Sequence, residues 1–375
     1  MLKSVLSTNM AQIQSLVLEG SPRQRGIRHG EQFTDEIATN VRRYLEYFAE
    51  YGVSEEVARE QASAFIPLIQ DANATYFEEM EGIAEGSGLP FEDVTIVNVR
   101  HTIVYSAFAA EVTEDSVQVS PDAIDGCTSF GVQPERSRTT HTLLGQNWDW
   151  LEPIDTFIMD ARPDEAPNLL TLTEAGMVGG KFGLNEHGIG YVVNGVTTPD
   201  DGNDPFRKPS HVRGREILAA DRLDKAIEPI VTEKRPCSRN YMLGHESGEM
   251  LDIETGPETV SYLYPEDGLL THANHFQDRS TFTSEFEKLI PHTICRGMRI
   301  NRLLSQRATI DNADLKEVLR DHFDAPVSIC HHENPEEDSP SHTKASIIMD
   351  LKERRMLVAN GPPCENEYVA HSVAT

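Results

Sequence analysis

The chain has 375 residues, with 33 Lys and Arg against 61 Asp and Glu, for a net charge of −28. That length can bury a sizeable core as one large domain or two ordinary ones, and the negative field argues against nucleic acid or an anionic membrane as partner. Acidic residues spread over the whole length suit a salt-rich cytoplasm, and equally a merely acidic soluble protein. Residues 13–18 read as a short strand ending in the turn Glu19-Gly20-Ser21-Pro22. From about 29 to 86 apolar residues recur at helical steps, as at Val41, Tyr44, Leu45 and Phe48, up to the stop Gly86-Ser87-Gly88-Leu89-Pro90. Phe91-Glu92-Asp93 starts another short helix, and the acidic stretch 111–125 reads as an exposed segment in which a cut would be tolerated.

After residue 126 the texture changes to strands and turns, with strands expected at 127–133, 142–148, 168–173, 180–184 and 189–196. A helical stretch follows at 210–233, then strands at 240–244, 249–253, 258–264 and 268–271. Helices near 295–305 and 312–323 precede last strands near 344–350 and 355–359, with a polar loop at His331–His342. Helices followed by a long strand-rich region point to helices packed on antiparallel sheets, an α+β class. Five cysteines lie far apart with no C-x-x-C pair, so a reducing compartment is expected. The first twenty residues lack the features of a signal peptide, and no stretch approaches a membrane span, which points to a cytoplasmic protein.

The most informative motif is Asp125-Gly126-Cys127-Thr128. A thiol following glycine can attack the unobstructed Gly126 carbonyl, and hydrolysis of the resulting thioester would free a chain beginning with Cys127. That residue would carry both a nucleophilic sulfur and an α-amine titrating near pH ~8 as its base. A lone cysteine is more commonly a small buried hydrophobe; Asp125 and Thr128 raise the odds by flanking the scissile bond. Gly145-Gln146-Asn147-Trp148-Asp149-Trp150 holds both tryptophans beside an amide and a carboxylate. Asp149 reads either as a turn cap or as the acceptor for the Cys127 ammonium or thiol, with Asn147 and Trp148 supporting it. In Thr271-His272-Ala273-Asn274-His275, Asn274 is a candidate oxyanion donor and the two histidines are a weak metal signal. Asn194 is either a second donor or a turn residue after a strand. His322, Cys330, His331, His332 and His342 form the rival signal of a zinc site, although their spacing matches no familiar zinc motif.

Taken in order, these pieces resemble the acyl-coenzyme A:6-aminopenicillanate (isopenicillin N) acyltransferase family of cysteine N-terminal-nucleophile hydrolases. The resemblance spans Gly26-x-x-x-Gly30, Glu79 to Gly86, Asp125 to Thr128, Gly145 to Asp149, Thr173 to Gly176, His272 to His275, Ser328-Ile329-Cys330 and Gly361 to Asn366. It implies a single domain with a four-layer αββα sandwich of two antiparallel sheets flanked by helices. It further implies self-cleavage into 1–126 and 127–375, the two chains staying together. By the same resemblance Cys127 is the nucleophile, Asp149 the active-site aspartate, Asn274 the oxyanion asparagine and Asn194 a further oxyanion position. It implies a small acyl amide as substrate and a coenzyme A thioester as candidate acyl donor; no bound cofactor or metal is expected. Where the family has an arginine after Ser-Ile-Cys, this chain has His331. Either His331 replaces it in weaker form, or a nearby Arg takes over, or activity is reduced. Two other readings stay open: an unprocessed binding protein of the same fold, and a zinc-dependent hydrolase built on the 322–342 histidines.

Overall fold

The computed structural model describes residues 13–113, 126–284, 286–333 and 341–374. Strand β1 (Ser15–Glu19) precedes five helices: α1 (Pro22–Gln32), α2 (Thr34–Glu50), α3 (Glu55–Ala72), α4 (Ala74–Ser87) and α5 (Phe91–Thr113). Strands β2 (Gly126–Val132), β3 (Leu143–Leu151), β4 (Thr156–Arg162), β5 (Leu169–Glu174), β6 (Phe182–Asn185) and β7 (Ile189–Asn194) follow. Helices α6 (Ser210–Leu218) and α7 (Leu223–Val231) lead to β8 (Arg239–His245), β9 (Met250–Thr255), β10 (Val260–Leu263) and β11 (Leu269–His272). The chain continues through α8 (Phe286–Leu289), α9 (His292–Ser305) and α10 (Asn312–Leu319) to β12 (Ser341–Asp350), β13 (Arg355–Asn360) and β14 (Val369–Ser372).

The strands form two sheets, ordered β1-β4-β5-β6-β7-β8-β9-β10 and β11-β2-β3-β12-β13-β14. They lie face to face, with β2 and β3 against β7. Across that interface the Val193 N–H donates to Gln146 Oε1 at 3.0 Å, and the Ser129 hydroxyl to Asn194 Oδ1 at 2.7 Å. The N-terminal helices cover the eight-stranded sheet, where Phe157 packs on His29 and Phe33 of the first helical hairpin. On the other side α9 and α10 cover the six-stranded sheet through Ile300, Leu304, Leu315 and Val318, packed on Phe130, Val132 and Ile348. The architecture is the four-layer αββα sandwich that the resemblance implies. The sheets are not purely antiparallel, because β1 pairs with β4 in parallel.

Local chemistry accounts for the helix starts and packing. Ser21 and Gln24 form a reciprocal capping box at α1, as Asp311 and Asp314 do at α10. The Gly26-x-x-x-Gly30 motif lets α1 lie directly on α4, since a Cβ on Gly26 would come within 2.0 Å of the Glu79 carbonyl oxygen. Three sequence expectations need correction. The helix starting at Phe91 is not short but runs 23 residues. The stretch 210–233 is two helices, broken between Leu218 and Leu223. Strands β4 and β14 were not anticipated. Asp125, most of the expected exposed segment 111–125, and 334–340 of the expected loop lie outside the described residues.

Candidate active site around Cys127

Cys127 is the second residue of β2, one strand in from the β11 edge of the six-stranded sheet, and is 2 % exposed. The pairing register sets Gly126 opposite Asp149, Cys127 opposite Trp148, and Thr128 opposite Asn147. Because side chains alternate along a strand, Cys127 faces the other sheet, as Trp148 and Gln146 do. Thr128, Asn147 and Asp149 face α9 and α10. The Gln146 Nε2 donates to the Cys127 sulfur at 3.7 Å. Glycine at 126 is a matter of space: a Cβ there would sit 2.8 Å from Asp149 Oδ2. Asp149 therefore lies against the Gly126–Cys127 main chain.

Both main-chain polar groups of Cys127 are gripped. Its N–H donates to Asn274 Oδ1 at 2.8 Å, and its carbonyl accepts from Arg296 Nη1 at 2.7 Å. Asn274 is fixed from behind, since its Nδ2 donates to the Gly195 carbonyl at 2.9 Å and its own N–H to Thr293 Oγ1 at 2.6 Å. Asn274 thus turns its oxygen towards the Cys127 nitrogen. The sequence expected its N–H on an oxyanion. Asn194 accepts from Ser129 Oγ and donates towards the His272 carbonyl at 3.5 Å, two strand positions along from Cys127.

Arg296 is the residue that sequence reasoning missed. It projects from the first turns of α9 and is buried, donating also to Thr128 Oγ1 at 2.9 Å, Asn274 Oδ1 at 2.8 Å and His292 Nδ1 at 3.3 Å. Burial lowers its pKa, while Asp149 and Cys127 pull the other way. A guanidinium stays charged in such a setting. His331, by contrast, places Nδ1 3.8 Å from Asp149 Oδ2. Burial, reinforced by Arg296, pushes its ring down to about 3. Of the two, Arg296 is the one that contacts Cys127, through its carbonyl.

The other singled-out residues have structural partners. Asn147 donates to the carbonyls of Leu319 at 2.9 Å and Ile329 at 2.8 Å, clamping α10 and the His331 segment onto β3. Thr343 Oγ1 donates to Asp149 Oδ1 at 2.7 Å and accepts the His331 N–H at 2.9 Å. Trp148 is buried under the Lys181 ammonium, 3.5 Å from its ring centre. His272 is buried with both ring nitrogens engaged, Nε2 on Glu254 at 2.9 Å and Nδ1 on the Ala273 carbonyl at 2.7 Å, which leaves it no nitrogen for a metal. The rival histidine cluster divides. His331 turns to Asp149 and His342 to Glu152, 3.2 Å away, while His322, Cys330 and His332 gather with Cys364.

A sequence model described as acyl-coenzyme A:6-aminopenicillanic acid acyl-transferase matches residues 136–364. The chain is 24 % identical over 354 residues to the acyl-coenzyme A:6-aminopenicillanic-acid-acyltransferase 40 kDa form of Emericella nidulans, covering 92 % of each. It is 25 % identical over 264 residues to protein dcd1A of Dictyostelium discoideum, covering 62 % of this chain and 56 % of that protein. Among solved structures, a conjugated bile acid hydrolase mutant from Clostridium perfringens superposes with a TM-score of 0.45 at 13 % identity, over 65 % of this chain and 92 % of that one. An N-acylethanolamine-hydrolyzing acid amidase orthologue from Caenorhabditis elegans gives 0.45 at 16 % identity, over 60 % and 93 %.

Proposed function

This chain belongs to the acyl-coenzyme A:6-aminopenicillanic acid acyl-transferase family, and on that premise we propose that it cuts itself before Cys127 and then works as a cysteine acyltransferase or amide hydrolase. The Cys127 sulfur attacks the Gly126 carbonyl carbon. The peptide C–N bond breaks as the thioester C–S bond forms, and the thiol proton passes to the Cys127 nitrogen. Water then hydrolyses the thioester, leaving Gly126 as a carboxylate and Cys127 with a free thiol and α-amine. In turnover that amine takes the thiol proton, the sulfur accepts the substrate's acyl group, and the amine returns the proton to the leaving group. Water or an acceptor amine resolves the acyl-thioenzyme.

The observation that carries this reading is the double grip on Cys127. Asn274 holds its nitrogen and Arg296 its carbonyl, with Asp149 against the peptide unit before it. In this reading Asp149 holds the freed ammonium, and Arg296, bound to the Cys127 carbonyl, is the cation that favours the thiolate. Gln146, whose Nε2 already donates to the sulfur, can supply a donor to the tetrahedral oxyanion, and Asn274 can do so once its amide leaves the Gly195 carbonyl, with Asn194 further along the sheet. The name of the Emericella relative supports an acyl-coenzyme A donor, although one framework hosts many substrates. The unprocessed-binder reading drew on the missing arginine after Cys330. The cation on the Cys127 carbonyl, Arg296, speaks against that ground.

An activated acyl thioester tests the reading. Peptide mass spectrometry after brief exposure should find the acyl group on Cys127, and no such adduct in Cys127→Ala. Equal labelling of the variant, or labelling confined to the other cysteines, would contradict it.

A further inference from the structure

We propose that His322, Cys330, His332 and Cys364 form a structural zinc site, separate from Cys127, that pins the segment carrying His331 to the C-terminal part of the chain. One ligand atom from each residue lies within 4.8 Å of all the others. Four of the six edges are short: Cys330 Sγ to Cys364 Sγ 3.6 Å, Cys330 Sγ to His332 Nε2 3.6 Å, Cys364 Sγ to His332 Nε2 3.3 Å, and His322 Nε2 to His332 Nε2 3.0 Å. Zinc bonds of about 2.3 Å to sulfur and about 2.0–2.1 Å to nitrogen set tetrahedral edges of roughly 3.8 Å for S–S, 3.6 Å for S–N and 3.3 Å for N–N. The observed edges follow that order and fall within about 0.3 Å of those lengths.

The surroundings suit a metal. His332 turns Nδ1, the atom away from the cluster, to the side of the Glu365 carboxylate, 3.8 Å away, and a small rotamer shift of that exposed side chain would make the hydrogen bond that orients a ligating imidazole. Backbone bonds preshape the loop, with the Cys330 N–H on the Asp321 carbonyl at 3.0 Å and the His332 N–H on the Pro326 carbonyl at 3.0 Å. Two thiolates and two neutral imidazoles make a closed four-ligand set. With no coordination position left for water, a site of this kind is structural and not hydrolytic. Its effect is positional. Residues 329–332 are held by Asn147 on one side and by the metal on the other, and His331 between two ligands is thereby set beside Asp149.

The full chain, expressed with zinc in the medium and purified under reducing conditions, should carry about one zinc by elemental mass spectrometry. Cys330→Ser and Cys364→Ser should each lose at least tenfold of it, and chelator should lower the melting temperature of the wild type but not of the variants. Cobalt exchanged into the wild type should give the intense visible bands of a tetrahedral site and a thiolate charge-transfer band, a reading that does not depend on the variants folding. Wild type with less than a tenth of a zinc and no cobalt thiolate band overturns the proposal. Undiminished zinc in both cysteine variants also overturns it, as does a Cys330–Cys364 disulfide in the reduced preparation.

Discussion

Around Cys127 the decisive residue is one whose sequence context is ordinary. Arg296, Arg299 and Arg302 recur at three-residue steps on α9, as a solvated basic face would. Arg299 does reach outwards, to Asp321 at 2.6 Å, and only the packing of α9 on β2 and β11 shows that Arg296 turns inwards. Cys127, Asp149 and Asn274 were legible because each stands in a short motif of unusual composition at a fixed order along the chain. Arg296→Lys keeps the charge but cannot span the Cys127 carbonyl, Thr128 and Asn274 together. A lost hydrogen bond to a charged group is worth about 1.5–3 kcal/mol, so acyl-enzyme formation should fall roughly 10- to 100-fold in single-turnover mixing. A variant as fast as wild type would remove Arg296 from the site. Histidine 331→Gln (His331→Gln) should cost far less in the same assay, because the cation against Cys127 is the arginine.

The tie between elements is strongest at Glu174, at the end of β5. Its carboxylate accepts from Arg100 of α5 at 2.6 and 3.0 Å, from Lys181 at 2.8 Å and from the Tyr44 hydroxyl of α2 at 2.6 Å. Trp150 of β3 closes the network by donating to Tyr44 Oη at 3.1 Å. Burial opposes the charge, but Arg100 and then Lys181 outweigh it and hold the Glu174 carboxyl at about 2. Glu174→Gln leaves two buried cations without their counter-charge and should cost about 3–5 kcal/mol in urea unfolding. The sign of the pH effect follows. The unfolded carboxyl titrates near ~4.3, so this contribution is complete above that pH and disappears as pH falls towards about 2. Wild type should therefore lose stability faster than the variant between those values; parallel acid profiles would contradict it.

Why some elements were legible is visible in the same region. Strands bounded by glycine turns and helices with clear apolar steps were readable. The 23-residue α5 is rich in Val, Ile and Thr, residues that lower helix propensity, and its length comes from burial against the other helices. β4, Thr156–Arg162, is mostly buried, so it lacks the alternation that marks a half-exposed strand. The cysteine at 364 was not joined to the 322–342 cluster because it lies 32 positions beyond His332. Only the fold brings it back.

For the whole molecule, a net charge of −28 makes the compact state repel itself when salt is low. The screening length falls from about 10 Å at 0.1 M salt to about 3 Å at 1 M. The melting temperature should therefore rise by several degrees between ~0.1 and ~1 M KCl, and a flat or falling curve would show that the acidic surface is already balanced. Among the described residues no helix is long and apolar enough to cross a bilayer.

The most direct measurement of the central claim is intact mass with N-terminal sequencing of the purified protein. The expected result is two chains that separate only on denaturation, one covering residues 1–126 and the other starting at Cys127, with Cys127→Ala remaining whole. A single uncut chain after prolonged incubation, or a cut at the same bond in Cys127→Ala, would contradict it.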